Sequence, residues 1–207
     1  EVALAWGWKW TVRSVGHGLA GPAGSASDAA ERKRLVRQLL GGFAGGGVVD
    51  GDSVSAGAGL RGGEGAFTHP AGEVVVTPNT GGMAGLAGLS ASQINADREG
   101  TALRYAQAWN AVVVLKGAHT VVAAPDGRVR VNPTGNPGLS RGGSGDVLAG
   151  MPAALLACRL PAYEAAACAV YLHGAAADRA AAVHGEYGML PHDILPELGR
   201  MFAEHQR

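Results

Sequence analysis

Residues 113–156 read VVLKGAHTVVAAPDGRVRVNPTGNPGLSRGGSGDVLAGMPAALL, and the order of patterns in this stretch decides the fold. Val112 to Leu115 is an unbroken apolar run, mostly β-branched, stopped by Lys116-Gly117, as expected for a strand buried on both faces. Thr120 to Ala124 and Arg128 to Val131 flank the turn Pro125-Asp126-Gly127, and the Arg/Val alternation of the second arm predicts a half-exposed hairpin strand. A glycine-rich loop, Asn132 to Gly145, leads into an apolar helix expected over Asp146 to Leu156. Pro152 falls well inside that helix, where proline costs about 3 kcal/mol and kinks the chain unless the helix starts later.

Working upstream, Glu73 to Thr77 is a second β-branched run, ended by Pro78, and Val48-Val49-Asp50 is a shorter one. Between the longer runs, Asp97 to Trp109 places Leu103, Ala106 and Trp109 at helical spacing. Strand, helix and strand therefore alternate as in a βαβ unit, which predicts an α/β fold with a mostly parallel sheet. Asp28 to Leu40 reads as a capped helix, with Glu31 three residues after Asp28 and Gly41-Gly42 at its end. Downstream, Ala162 to Val183 is rich in small apolar residues and poor in charge, which suits deep packing or contact with another subunit, so a homo-oligomer is plausible.

Seventeen basic and 17 acidic side chains balance over 207 residues, leaving no basic surplus for a phosphate backbone, so nucleic acid is not expected as a partner. Hydrophobic residues at 47% and charged residues at 16% exclude a disordered chain, and no stretch has the roughly 18 uncharged apolar residues of a membrane span. Cys158 and Cys168 lie in helix-like sequence and the first residues do not resemble a signal peptide, so a cytoplasmic location is expected. Of 34 glycines, most fall in the first 90 residues, which predicts a loop-rich first part.

Two segments match the G-x-G-x-x-G spacing, at Gly16-Gly18-Gly21 and Gly57-Gly59-Gly62. At this glycine frequency about one such match arises by chance, so neither counts alone. The stronger signal is Gly142-Gly143-Ser144-Gly145-Asp146. Small residues before a helix let successive N–H groups close round an oxyanion, and the helix dipole adds partial positive charge there. Asp146 at the helix start could take a proton from a hydroxyl held beside those amides, as phosphoryl transfer to an alcohol requires. A plain turn with Asp146 as N-cap is the bland alternative. Lys116 to Thr120 follows a buried strand, where sites in parallel sheets collect, and its amides, hydroxyl and ammonium could receive a nucleotide; a simple turn is equally compatible with these residues. The seven histidines show no metal-ligand spacing, so no protein-built metal site is expected, and Trp6, Trp8 and Trp10 alternate as on the apolar face of a strand.

Val113 to Leu156 resembles the ADP- or ATP-dependent NAD(P)H-hydrate dehydratase family, a branch of the ribokinase-like superfamily. Ala165 to Asp178 is similar to that family's next helix and Gly188 to Leu195 to the start of its last. Val15 to Leu19 resembles its Val-Gly-Pro-Gly-Leu turn, with His17 in place of Pro. Val48 to Ser55 resembles its Val-Val-Asp-Ala-Asp-Ala-Leu-Asn segment, and Thr77-Pro78 begins its Thr-Pro-His-Pro-Gly-Glu turn. The resemblance implies a three-layer α/β/α ribokinase-like domain over residues 1–207, without the family's first strand and helix units. It implies dehydration of the S epimer of hydrated NADH or NADPH, by phosphorylating its hydroxyl with ADP or ATP and Mg2+ and then eliminating phosphate. Lys116, Gly117, Ala118, His119, Thr120 and Gly145 would contact the nucleotide, and Gly142, Gly143 and Ser144 would help form the anion hole. Asp146 would be the base and touch the hydrated nicotinamide, with Gly18 and Asn79 completing the substrate site.

The sequence departs from the family pattern at three places. Asn79-Thr80-Gly81-Gly82 replaces His-Pro-Gly-Glu, Ser55 stands where the family has Asn, and Arg141 precedes the glycines where a small residue is usual. Two other readings use the same loops, a small-molecule kinase of the superfamily and a nucleotide-binding remnant without turnover; Gly-Asn-Pro-Gly before the glycine loop favours the dehydratase over the kinase.

Overall fold

A computed structural model describes residues 13–15, 46–50 and 73–206 of the chain. Six strands form one sheet in chain order: β1 (Arg13–Val15), β2 (Gly47–Asp50), β3 (Val74–Thr77), β4 (Val112–Leu115), β5 (Val121–Ala123) and β6 (Val129–Val131). The first four are parallel and the β5–β6 hairpin returns antiparallel to β4. Every residue of β2 to β5 is buried, as continuous apolar runs predict for strands covered on both faces, while β6 at the edge is largely exposed.

Because side chains alternate across a strand, each strand feeds two cores. Val49, Val76, Val113 and Leu115 pack against Met83 and Leu86 of α1 (Thr80–Ala87), Ile94 of α2 (Ala91–Ala96), and Tyr105 and Trp109 of α3 (Arg98–Trp109). Val48, Val75, Val112 and Val114 face the other way, onto Leu148 and Leu156 of α4 (Ser144–Ala157) and Ala165, Ala166 and Val170 of α5 (Ala162–His184). Fully burying such a Val or Leu side chain is worth about 1.5–3 kcal/mol, so these faces lock the register that aligns the strand ends. A third cluster seats Ile194 and Met201 of α6 (Ile194–His205) on Ala176, Ala177 and Ala180 of α5.

The expected strands and the helix after Asp97 are present, and Asp97 caps that helix by accepting from the Gly100 N–H at 2.8 Å. Three features differ from expectation. α4 begins at Ser144, two residues before Asp146, and runs on through Pro152, because Leu148, Ala149 and Leu156 bury against the sheet and outweigh one lost hydrogen bond. The segment after Pro78 is a helix: Asn79 caps α1 from its Oδ1 to the Gly82 N–H at 2.7 Å, a role for which Asn is well suited. α2 follows with a capping box between Ser90 and Gln93. The Asn132–Gly145 loop contains a 3-10 turn, Pro137–Ser140. The helix expected over 28–40, the tryptophans at 6, 8 and 10, both G-x-G-x-x-G matches, Ser55 and Gly18 lie outside the described residues. Among the described residues no helix is long and apolar enough to cross a membrane.

Candidate active site

Three parallel strands end side by side. Asp50 closes β2 and is paired in register with Thr77, which closes β3. Both are 1% exposed. The Thr77 hydroxyl donates to Asp50 Oδ1, and the same oxygen accepts from Lys116 Nζ at 2.5 Å. Lys116 follows β4 directly. Its N–H donates to the Pro78 carbonyl at 2.8 Å, and an isolated bridge to Asn79 carries the parallel pairing one step past the strands. Arg98 of α3 donates to the carbonyls of Leu115 at 2.9 Å and Lys116 at 3.1 Å, and to the Thr80 hydroxyl at 3.1 Å. Burial holds the Arg98 guanidinium below its ordinary pKa.

The glycine loop meets this cluster from the other layer. A Cβ on Gly145 would stand 3.2 Å from Lys116 Nζ, so the two loops singled out in the sequence converge here. Gly143 is the N-cap of α4 at φ 96°, a backbone that favours glycine. Asp146 is exposed in the first turn and is not the cap, so the N-cap role expected as its alternative falls to Gly143. Ser144 donates its N–H to the Arg141 carbonyl, and Asp146 and Val147 donate theirs to the Gly143 carbonyl. The N–H groups of Gly142, Gly143 and Gly145 have no hydrogen-bond partner among the described residues. The Ser144 hydroxyl, in a residue 4% exposed, is likewise unpartnered. Unpaired donors at a helix N-terminus form an anion-binding arrangement.

α5 supports the loop from behind. Asp178 accepts from the Gly135 N–H at 2.9 Å and Asn136 Nδ2 at 3.0 Å, and Thr134 donates its hydroxyl to the Tyr171 carbonyl at 2.9 Å. His173 is buried, and burial pushes its pKa down to about 4, opposed by a backbone hydrogen bond with Ser144 and reinforced by the Lys116 charge. It is therefore neutral at pH 7, with Nε2 unpartnered. Arg141 donates to the Tyr187 carbonyl at 2.7 Å, so this departure from the family pattern ties the loop to the segment after α5.

A family model described as NAD(P)H-hydrate dehydratase matches residues 11–200. The chain belongs to the NAD(P)H-hydrate dehydratase family. It is 46% identical over 161 residues to the bifunctional NAD(P)H-hydrate repair enzyme Nnr of Moorella thermoacetica, covering 78% of this chain and 30% of that one. With the ADP-dependent (S)-NAD(P)H-hydrate dehydratase of Bacillus subtilis it shares 39% identity over 134 residues, covering 63% of this chain and 49% of the relative. The crystal structure of the Bacillus subtilis ADP/ATP-dependent NAD(P)H-hydrate dehydratase, co-crystallized with ATP and Mg2+, superposes with a TM-score of 0.74 at 31% identity, covering 83% of this chain and 59% of that one. A ribokinase-like superfamily protein of Enterococcus faecalis superposes at 0.76 with 27% identity, covering 93% of this chain and 63% of that one. The fold is thus ribokinase-like, and the chain spans less than half the length of these two curated relatives.

Of the residues expected in a dehydratase site, the structure gathers Lys116, Gly145 and, through its bridge to Lys116, Asn79. Gly117, Ala118 and His119 form an exposed turn with His119 at φ 57°, and the Thr120 hydroxyl, offered as a ligand group, is held by the Gly117 carbonyl at 3.0 Å. Asn79 has its carboxamide oxygen engaged as a helix cap. Asp50, Thr77, Arg98 and His173 were not among the expected site residues. The available signal was an acidic residue ending an otherwise apolar strand, Val48-Val49-Asp50.

Proposed function

We propose that this chain, acting as one domain, dehydrates the S epimer of hydrated NADH or NADPH at the expense of ADP or ATP. The observation that carries the reading is the start of α4, where the N–H groups of Gly142, Gly143 and Gly145 and the Ser144 hydroxyl are unpartnered and Gly145 lies against the Lys116 ammonium. That arrangement supports placing the nucleotide's phosphates there, with the Lys116 to Thr120 turn against the rest of the nucleotide and Gly18, Asn79 and Asp146 on the substrate. Asp146 takes the proton of the substrate hydroxyl as its oxygen attacks the terminal phosphorus. The bond from that phosphorus to the bridging oxygen breaks and releases AMP or ADP. In the second step the ring carbon–oxygen bond breaks with loss of phosphate, the neighbouring ring carbon gives up a proton, and the reduced nicotinamide is restored. Mg2+, bound through the nucleotide phosphates, would neutralise charge there. A cytoplasmic location accords with both substrates.

The test is to mix the purified chain with hydrated NADPH, Mg2+ and either ADP or ATP, and to follow the reduced-nicotinamide absorbance. Nucleotide-dependent recovery is expected. Tight ADP binding without recovery would overturn the dehydratase reading in favour of a nucleotide-binding remnant.

A further inference from the structure

We infer that Asp50, braced by Thr77, is a positioning residue that holds the Lys116 ammonium at the first turn of α4, so that Lys116 meets the terminal phosphate of the nucleotide and not its base. The inference deepens the reading above and rests on it for the identity of the nucleotide. Lys116 has its backbone fixed from both sides, by the Pro78 carbonyl and by Arg98, so only its side chain is free to choose a partner. That side chain, 19% exposed, ends on Asp50 Oδ1, and its ammonium stands 3.2 Å from where a Cβ on Gly145 would lie. A side chain at position 145 would therefore press on the ammonium.

The chemistry follows from counting donors and charges. An ammonium has three N–H donors, and Asp50 takes one, so two remain for phosphate oxygens beside the free N–H of Gly145. A buried ion pair seldom adds net stability over a well-packed apolar pair, so its place at the strand ends calls for a different explanation. Asp50 Oδ2 lies 3.9 Å from where a Cβ on Gly145 would stand, close enough to the anion-binding loop that without Lys116 the carboxylate would repel a phosphate. Lys116 between the two anions removes that repulsion and is aimed by it. Thr77 fixes the carboxylate from the neighbouring strand, and register alone brings the pair together.

The experiment compares ADP with AMP by calorimetric titration of the full chain, in the wild type and in K116M, D50N, T77V and T77S. Losing a charge-assisted contact to the terminal phosphate should weaken ADP binding by roughly tenfold or more while AMP binding changes little. K116M and D50N are expected to erase the preference for ADP over AMP, T77V to reduce it, and T77S, which keeps the hydroxyl, to restore it. In the turnover assay the same variants should lower kcat more than they raise KM for the hydrated dinucleotide. Equal weakening of ADP and AMP by K116M would overturn the inference, because Lys116 would then serve the shared part of the nucleotide. A wild-type preference in D50N, or in T77V should D50N fail to fold, would overturn the positioning role. Wild-type chain that binds ADP without restoring the nicotinamide leaves this inference to the calorimetry and defeats only the dehydratase reading. Wild-type chain that binds no ADP defeats both.

Discussion

At the carboxyl ends of β2 to β4, Lys116 meets Asp50 with 19% of the lysine side chain and 2% of the aspartate side chain exposed, whereas at the β5–β6 turn Arg128 meets Asp126 and Glu164 with about half of each side chain in water. The inner pair sits where strand register, a helix start and a glycine loop coincide. The outer group bridges a turn to the first turn of α5, with the Arg128 guanidinium also 4.3 Å from the Tyr163 ring centre. Charges that water can reach are replaceable, because solvent screens them and competes for their hydrogen bonds. Charges out of water are held in place, and their removal strands a partner. The contrast teaches that ion-pair distance alone does not mark function, since Arg128 to Glu164 is also 2.5 Å. What marks the inner pair is burial next to unpaired donors.

The largest expected effect at the inner end is on Asp146, which is exposed and free to reach a substrate. Asp146→Asn should lower kcat by about 10²–10⁴-fold, the range for losing a general base, with nucleotide affinity near that of the wild type. Steady-state kinetics beside ADP titration checks this, and retained turnover would remove Asp146 from the mechanism. Next comes His173. Its folded pKa, about 4, lies below the ordinary value of 6.5, so the fold favours the neutral ring. Its contribution is fully present above pH 6.5 and is lost as pH falls from 6.5 towards 4, about 3 kcal/mol over that window. Urea melts of wild type and His173→Gln at pH 7.5, 5.5 and 4.5 should show the wild type losing stability faster on acidification. Parallel losses would mean that His173 is not buried against the helix start as described.

The sheet was legible because continuous valine runs have few other places to go than a doubly covered strand, and the Asp97 helix because its cap and period agreed. The first turn of α4 was misplaced by two residues, since Ser144 and Gly145 look like loop until the glycine N-cap at position 143 is seen. α1 was hidden because its glycines and the preceding Pro78 read as a turn, while its stability comes from Met83 and Leu86 entering the core. For the site, the glycine loop and Lys116 announced themselves through local chemistry. Asp50, Thr77 and His173 did not, because their roles depend on neighbours 27 to 66 positions away in the chain, a proximity that only the assembled sheet creates.

The same dependence on packing extends behind the glycine loop, where Gly174 of α5 lies under Thr134. A Cβ there would stand 2.3 Å from the Thr134 hydroxyl oxygen and 2.8 Å from its carbonyl oxygen. Gly174→Ala therefore must push back the segment that Asp178 anchors, at a cost of about 2 kcal/mol, in the range of overpacked sites. Denaturant melts measure the loss, and ADP affinity should fall with it because the displaced segment leads into Gly142 and Gly143. A variant as stable as the wild type would show that the loop yields without cost.

The smallest effect is expected at the outer group, and it is the one that most sharpens the contrast. The Arg128 guanidinium holds Asp126 and Glu164 below the usual carboxylate range, first through side-chain hydrogen bonds, with backbone hydrogen bonds next and direct charge attraction a smaller contribution. Read from distance alone, these bonds would rank with Lys116–Asp50. With solvent around all three side chains, the screening argument predicts otherwise. Glu164→Gln should leave the melting temperature within the scatter of repeated melts at 0.15 M salt and leave kcat unchanged, and any small difference at low salt should vanish as salt is added. If instead Glu164→Gln destabilised the chain at high salt, the bond would be worth more than exposure allows, and burial beside unpaired donors would no longer separate the inner pair from the outer one.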